Sequence, residues 1–277
     1  MSDDHLRKGL RVAPGERPRL DRIDPGDTLG LADREEAAAV VAACGERLEA
    51  LQALLASEDR RSLLLVLQGM DASGKDGVVR ALCGALNPMI LHTASFGVPT
   101  KPELRHDFLW RITRELPERG RMAVFNRSHY EDVLVVRVDG LVPEDEWRAR
   151  YGQITRFEER LAETGTAVVK VMLHISRDEQ LGRLRERAQD PLKRWKFSAD
   201  DLRKRDQWDA YMAAYEDAIE RTGTDDAPWY VVPADRKWAR NALVLEIVAH
   251  VLERMRLPEP PVPEGLPPGF LEDPAGG

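Results

Sequence analysis

The chain has 277 residues, 43% of them hydrophobic and 32% charged, which suits a soluble globular protein with one large α/β domain or a domain with a mobile lid. Its 41 basic and 48 acidic residues give a net charge of −7, which argues against general binding to nucleic acid or to a membrane surface. The two cysteines have no metal-binding spacing, no apolar run reaches 18 residues and no signal peptide precedes residue 20, so we expect a cytoplasmic protein.

The N-terminal part of the chain divides into an arm and a helix. Residues 1–32 are rich in Arg, Asp, Gly and Pro without a sustained period, which predicts an extended arm across the domain or a neighbouring subunit. From Asp33 to Glu58, apolar residues recur at helical spacing, and Asp33 and Glu36 have the spacing of a capping box. The main folded domain is expected to begin here and to span residues 33–256.

The most informative stretch begins with a short apolar run, Leu63–Leu67, which predicts a buried parallel strand. Gly69, Gly74 and Lys75 follow at the spacing G-x-x-x-x-G-K, and Val78–Leu86 predicts a helix. In such a phosphate loop (P-loop), backbone N–H groups close around phosphate oxygens, and the helix start and the lysine add positive charge. Strand, spacing and helix together argue against a chance glycine-rich turn. We therefore assign phosphate or nucleotide contacts to Gly69, Met70, Ala72, Ser73, Gly74, Asp76 and Gly77.

This loop carries two carboxylates where a usual phosphate loop has none. Asp76 replaces the Ser or Thr that normally follows the lysine and holds magnesium, and Asp71 lies inside the loop. A carboxylate beside bound phosphate is repelled unless a cation lies between them. Asp71 therefore predicts a divalent metal with oxygen ligands, most simply Mg²⁺.

Beyond the loop, apolar runs alternate with helical patterns. The predicted strands are Met89–Phe96, Met122–Phe125, Ala167–Ile175 and Trp229–Pro233. The predicted helices are Glu103–Leu116, Pro143–Glu163, Arg177–Ala188, Ala199–Arg221 and Lys237–Met255. This alternation predicts an α/β fold with an open parallel sheet covered by helices on both faces. Residues 257–277 are Pro-rich and are expected to form a surface or loose tail.

Ligands of such sheets bind beyond the carboxyl ends of the strands, where residues 126–132 follow the third predicted strand. Asn126 is an amide where phosphate-loop enzymes often place a second acid, so Asp71 is the stronger metal candidate, and Glu131 or Asp132 could supply a further carboxylate. Arg127 is placed to reach a phosphate, or alternatively to pair with one of these acids. His129 and Tyr130 suit either a packed structural role or contact with the substrate.

A third constellation is the dense run of basic residues from Arg177 to Arg205. Arg183 and Arg187 lie one helical turn apart, and guanidinium groups suit phosphate because they donate in a fork and stay charged. Interspersed acids leave open a salt-bridged, solvated surface instead. Phosphoryl transfer needs little beyond positioning, a metal and cations on the migrating group, so these parts favour a kinase.

Six segments carry a family resemblance, in order between about residues 20 and 260. They are residues 67–77, 106–111, 125–135, 173–176, 195–197 and 227–235. Through them the chain resembles the family-2 polyphosphate kinases, most closely the subgroup that phosphorylates nucleoside mono- and diphosphates from polyphosphate. The resemblance implies a thymidylate-kinase-like P-loop fold, a three-layer sandwich with a helical lid. It also implies a Mg²⁺ requirement and a basic channel for inorganic polyphosphate.

The same resemblance implies reversible transfer between polyphosphate and AMP or ADP, which could extend to GMP and GDP and yields nucleoside triphosphates. By matching position, Asp71, Lys75, Arg127 and Glu131 would be catalytic, with Asp71 and Glu131 ordering the metal. Asn126 would contact phosphate or nucleotide, and Arg183, Arg187 and Lys196 would belong to a lid over about residues 183–215. Gly97 stands where a lysine is expected, which would thin the phosphate contacts. With the arm, the resemblance favours a dimer or tetramer.

The residues by themselves leave two alternatives open. An ATP-dependent nucleotide or small-molecule kinase needs the same loop and metal, and a non-catalytic nucleotide- or polyphosphate-binding protein needs the same cradle. Intact Asp71, Lys75 and Arg127 argue against the second alternative. A nucleic-acid-binding module is poorly supported because the chain has no pattern of base-stacking aromatic residues.

Overall fold

A computed structural model of the protein describes residues 9–263. Its centre is a sheet of five strands, all parallel, in the order β2–β3–β1–β4–β5. The strands are β1 (Ser62–Gln68), β2 (Leu91–Ser95), β3 (Met122–Asn126), β4 (Thr166–His174) and β5 (Trp229–Pro233). Every residue of β1 is buried, because this central strand has neighbours on both edges and helices on both faces.

Helices cover both faces of the sheet. The helices of residues 9–263 are α1 (Arg34–Glu58), α2 (Lys75–Ala85), α3 (Trp110–Thr113), α4 (Val135–Val138), α5 (Glu144–Glu163), α6 (Arg177–Gln189), α7 (Ala199–Asp206), α8 (Trp208–Thr222) and α9 (Lys237–Arg254). Helices α1, α2 and α9 pack together on one side, and α4, α5 and α8 on the other. The predicted α/β fold, a parallel sheet between two helical layers with a glycine loop after its central strand, is confirmed.

The helix predicted over Glu103–Leu116 is wrong. The chain makes a 3₁₀ turn at Glu103–Arg105 and then only the four residues of α3. His106 is extended, and the Asp107 carboxylate accepts the Leu109 N–H over 2.9 Å, which favours a local turn over a continuing helix. The strand predicted from Met89 begins later, since Asn87 caps a 3₁₀ turn over Pro88–Ile90.

The helix predicted over Ala199–Arg221 is two helices, α7 and α8, which meet at Gln207. Two short elements that the sequence did not predict follow β3. A 3₁₀ turn over His129–Asp132 begins at Ser128, whose hydroxyl accepts the Tyr130 N–H, and α4 comes directly after it. These short elements hold the segment after β3 in a compact bend.

The described part of the N-terminal arm lies along the far edge of the sheet. The Val12 N–H donates to the carbonyl of Trp229 (3.0 Å), and the Val231 N–H donates to the carbonyl of Leu10 (2.9 Å). Leu10 and Leu20 are buried, so the arm covers the edge of β5. Residues 1–8 of the predicted arm and 264–277 of the predicted tail lie outside the described residues. Within residues 9–263, no helix is both long and apolar enough to cross a membrane.

Candidate active site

The phosphate loop and the segment after β3 meet because β1 and β3 are neighbours in the sheet. Leu67 is aligned with Asn126 across the pair, and the Arg127 N–H donates to the carbonyl of Leu67 over 3.0 Å. Both segments leave the same edge of the sheet. Residues 56 positions apart, Asp71 and Arg127, can therefore form an ion pair.

The loop has the backbone conformation that its glycines permit. Gly69 and Gly74 have φ values of +141° and +105°. A Cβ on Gly69 would lie 2.7 Å from the carbonyl oxygen of Leu173, so no larger residue fits there. The Lys75 ammonium is buried and donates to the carbonyls of Gly69 (2.6 Å) and Met70 (3.2 Å). The lysine thus folds back over the loop that it serves.

Charge is dense around Lys75. Burial and the nearby Arg127 lower its pKa to about 8, although Asp71 and Glu131 act in the opposite direction. This ammonium is therefore within reach of losing its proton under mildly alkaline conditions. A bound phosphate would favour its charged form.

Asp71 is the hub of the site. Arg127 contacts its Oδ1, and the Lys204 ammonium lies 3.3 Å from its Oδ2. Burial raises the pKa of Asp71, but Arg127, Lys75 and Lys204 outweigh burial and hold it well below its usual range. Arg127 itself has a φ of +63°, a strained conformation for a residue with a side chain. The ion pair expected for Arg127 thus exists, but its partner is the loop carboxylate.

Glu131 lies beside this pair. It lines, with Asp71, Arg127 and Lys204, a cavity of only about 20 Å³. Burial raises its pKa, against the opposing effect of Arg127 and Lys75. The Gln68 amide, oriented with its oxygen toward Ser128, donates to Glu131 Oε1 over 3.0 Å. Glu131 is thereby held at the end of β1, facing the loop.

Asp76 joins the loop to the lid. Its carboxylate accepts from the Asn126 amide (2.8 Å) and from the Lys196 ammonium (2.9 Å). Lys196 belongs to a 3₁₀ turn between α6 and α7. Asp76 therefore holds Asn126 and Lys196 at the start of α2. Direct phosphate contacts for these three residues stay predictions.

The two lid arginines are placed differently. Arg187 is partly exposed, and its guanidinium is 3.8 Å from the Asp201 carboxylate. Arg183 is buried, and its guanidinium donates to the carbonyls of Ala72 (3.1 Å) and Ser73 (3.0 Å) from behind the loop. Arg183 therefore supports the phosphate loop and does not face the open side of a lid.

Several site residues were not identified from the sequence. Lys204 was one cation among ten in the basic stretch, and only the fold shows that it reaches Asp71. Tyr211 and Tyr215 line the small cavity from α8, and their spacing of four residues on one helix was an available signal. Arg240, on α9, donates to the carbonyl of Ser73 over 3.2 Å, and its place in a predicted core helix gave no hint of this contact.

A larger cavity, of about 420 Å³, lies between the segment after β2 and α5, and Asp132, from the turn that carries Glu131, belongs to its lining. His106 and Phe108 line it, and Arg150 lies over the Phe108 ring (5.1 Å) and donates to Asp132 (2.8 Å). Burial raises the pKa of Asp132 to about 6, although Arg150 opposes the shift. The cavity combines aromatic surface with charged groups that can accept and donate hydrogen bonds.

Across residues 9–263, no three His, Cys, Asp or Glu side chains are grouped as a metal site. Asp71 and Glu131 nevertheless line one cavity and offer carboxylate oxygens, the ligands that hard divalent cations prefer. Two carboxylates leave the remaining positions to phosphate oxygens and water, as is usual for Mg²⁺ in phosphoryl-transfer sites. The residues present therefore fit a cation that binds together with its phosphate ligand.

Several known proteins are similar to this chain in sequence and in fold. The family model described as Polyphosphate kinase 2 (PPK2) matches residues 31–260. An AMP/ADP-polyphosphate phosphotransferase from Meiothermus ruber is 50% identical over 91% of this chain and 96% of its own, and an ADP-polyphosphate phosphotransferase from Rhodopseudomonas palustris is 42% identical over 91% and 92%. The crystal structure of Polyphosphate Kinase 2 from Arthrobacter aurescens TC1 superposes with a TM-score of 0.88 at 42% identity, covering 95% of this chain and 93% of that one. The chain therefore belongs to the polyphosphate kinase 2 family.

Proposed function

We propose that this protein transfers phosphoryl groups reversibly between inorganic polyphosphate and nucleoside mono- or diphosphates, with AMP and ADP as acceptors and Mg²⁺ as cofactor. The observation that carries the proposal is the convergence of Lys75, Asp71 and Arg127 at one point of the phosphate loop. A cavity of about 420 Å³ includes Asp132, the neighbour of Glu131, in its lining, and the basic stretch pairs with the loop through Lys196 and Asp76. The two relatives are polyphosphate phosphotransferases by name, which supports the same activity.

The acceptor is proposed to bind in the larger cavity. Its volume of about 420 Å³ is within the usual range for small-molecule sites, and its aromatic lining suits a nucleobase. Arg111 and Arg150 are available to its polar groups, and Asp132 belongs both to this cavity and to the turn that carries Glu131. An acceptor seated here would direct its phosphate toward Asp71 and Lys75.

The donor is proposed to lie along the loop and the lid. Lys75 and the loop N–H groups would hold the terminal phosphates, and Lys196 and Arg187 would accompany the rest of the chain. In the transfer itself, Arg127 exchanges the Asp71 carboxylate for the migrating phosphoryl group and neutralises its charge. Asp71 and Glu131 would hold Mg²⁺, which supplies charge neutralisation at the phosphate oxygens when it is bound.

An ATP-dependent kinase on the same scaffold is not favoured, because the family match and both relatives point to polyphosphate. The cytoplasmic location and a dimeric or tetrameric assembly remain proposals from the sequence and its resemblance.

The test is a transfer assay with long-chain polyphosphate as the sole donor and no ATP, using AMP, ADP, GMP and GDP as acceptors, with and without Mg²⁺. We expect nucleoside di- and triphosphates to form only with the metal present, and an Asp71→Asn variant to lose this activity. A parallel assay uses ATP as the sole donor, and product formed there but never from polyphosphate would establish the ATP-dependent alternative instead.

A further inference from the structure

Behind the phosphate loop lies a buried guanidinium, that of Arg240 on α9. The residue is 3% exposed. Its Nη1 donates to the carbonyl of Ser73 (3.2 Å), and its Nε and Nη2 donate to the neutral side-chain oxygen of Asn241 (3.2 and 2.8 Å). The guanidinium therefore contacts the outer surface of the loop, opposite the side where phosphate is expected.

Two loop glycines provide the space for this side chain. A Cβ on Gly74 would lie 1.8 Å from Arg240 Nη1, and a Cβ on Gly77 would lie 2.7 Å from Nη2. Gly77 does not need a positive φ, and glycine within a helix costs about 1 kcal/mol relative to alanine. The contact with Arg240 explains why position 77 is a glycine, since any larger residue would displace the guanidinium.

The charge of Arg240 has no carboxylate partner in the described part of the chain. Burial lowers its pKa to about 10, and the neighbouring positive charge of Arg183 adds to the shift. Most other arginines around the site have acids: Arg127 has Asp71, Arg183 has Glu179 and Arg187 has Asp201. A buried charge that only hydrogen-bonds to neutral groups is costly unless an opposite charge approaches it.

We infer that Arg240 is a positioning residue for polyphosphate, which orients the Ser73–Gly74 part of the loop and whose missing counter-charge is the bound phosphate itself. The inference rests on the proposed function, because it takes the phosphate loop as the polyphosphate site. The guanidinium acts through the loop and does not touch the substrate. Its positive charge raises the affinity of the loop for anions, and its hydrogen bond keeps the loop carbonyl turned outward so that the N–H groups face inward.

The experiment compares polyphosphate binding by the wild type, Arg240→Met and Arg240→Lys in the full-length protein, by titration calorimetry. Arg240→Met should raise the dissociation constant about tenfold or more, as expected for the loss of one charge in a low-dielectric setting. Arg240→Lys should restore most of the affinity. In the transfer assay, the methionine variant should raise KM for polyphosphate and change kcat much less.

The matched control is Arg47→Met. Arg47, on α1, pairs with Glu246 and Glu253. These two acids lie on α9, the helix that carries Arg240, but farther along it than Arg240, which contacts the loop. Arg47→Met should lower the thermal unfolding midpoint without changing the dissociation constant for polyphosphate. Binding by Arg240→Met within twofold of the wild type, or an equal loss in Arg47→Met, would overturn the inference.

If Arg240→Met does not fold, Arg240→Lys decides, since retained affinity supports a role of charge and a loss as large as tenfold refutes it. A wild-type protein that fails to bind polyphosphate would instead refute the proposed function.

Discussion

Asp71, Lys75 and Arg127 all have hydrogen-bond or ion-pair partners in the structure, and these existing contacts determine how the site must work. Asp71 already has two cationic partners, Arg127 and Lys204, and Lys75 is satisfied by loop carbonyls. An incoming phosphate therefore replaces existing contacts and does not simply fill a vacant pocket. Binding and the release of Arg127 from Asp71 should be one event.

Removing either cation should disable the chemistry and spare the fold. Lys75→Ala and Arg127→Ala are each expected to lower turnover by about 10³ to 10⁵, the range found for cationic groups in related phosphoryl transfer. Steady-state kinetics with saturating polyphosphate and ADP measures this effect. Arg148→Ala, which removes an exposed pair with Glu144 on α5, is the matched control and should keep its activity. Activity that falls only in proportion to the free energy of unfolding would indicate a structural role.

The lowered pKa of Lys75 predicts a specific pH dependence of binding. Below about pH 8 the ammonium is charged in the free protein, and above it the proton is lost unless bound phosphate retains it. Binding then requires proton uptake, so the dissociation constant for pyrophosphate should rise with pH above about 8, by up to about tenfold per pH unit. Calorimetry between pH 7 and 9.5 measures the profile.

Lys75→Met serves as the reference for that profile, because the ligand itself also titrates. This variant should bind more weakly and should show only the dependence that the phosphate groups contribute. Parallel profiles for the two proteins would mean that Lys75 does not titrate in this range.

At the scale of elements, the lid is held to the body by contacts to the loop. Lys196 pairs with Asp76, Lys204 with Asp71, and Arg203 with Asp139, which lies directly after α4. The break between α7 and α8 at Gln207 lets Lys204 point into the site while α8 packs on the body. The single helix that the sequence predicted over Ala199–Arg221 would not change direction at Gln207.

The lid cations are expected to act as a track for the donor. Lys196→Ala and Arg187→Ala should raise KM more for long polyphosphate than for short chains, because only long chains extend beyond the loop. Kinetics over a series of defined chain lengths tests this, with Lys193→Ala as a control that breaks only a local pair with Asp190. An equal rise at every chain length would exclude a track.

A buried polar network connects the turn after β3 to β4, α5 and the end of α8. The Lys170 ammonium on β4 donates to Glu158 of α5 (2.5 Å) and to the carbonyl of Thr222 at the end of α8 (2.7 Å), and Tyr130 donates to Glu158 (2.9 Å). Tyr130 directly precedes Glu131. The network thus fixes the turn that carries Glu131 and the C-terminal end of α8 to one another.

Lys170→Met should destabilise the protein by about 3–5 kcal/mol, because it leaves the Glu158 carboxylate buried without its cation. Urea unfolding measures the change. The double variant Lys170→Met/Glu158→Leu should recover much of the loss, since no unpaired charge remains. A single variant within about 1 kcal/mol of the wild type, the usual value of an exposed ion pair, would show that the network contributes little.

At the scale of the whole molecule, the parallel sheet and the position of the phosphate loop were predictable, because a buried strand followed by G-x-x-x-x-G-K leaves few alternatives. The order of the strands in the sheet was not predicted and comes from the structure. The helix over 103–116 failed because the Asp107 side chain competes for backbone donors, an effect that apolar spacing does not show. Lys204 and Arg240 could not be selected from many similar cations, because their partners are more than 100 residues away in sequence. Contacts across the fold, rather than local pattern, assign these residues to the site.

The most direct test of this account is a crystal structure of the protein with Mg²⁺ and a non-hydrolysable nucleotide analogue. We predict phosphate density within the loop between Lys75 and Arg127, a metal ion at Asp71 and Glu131, and Arg127 separated from Asp71. A loop without phosphate, with Asp71 still paired to Arg127 and the analogue bound elsewhere, would contradict it.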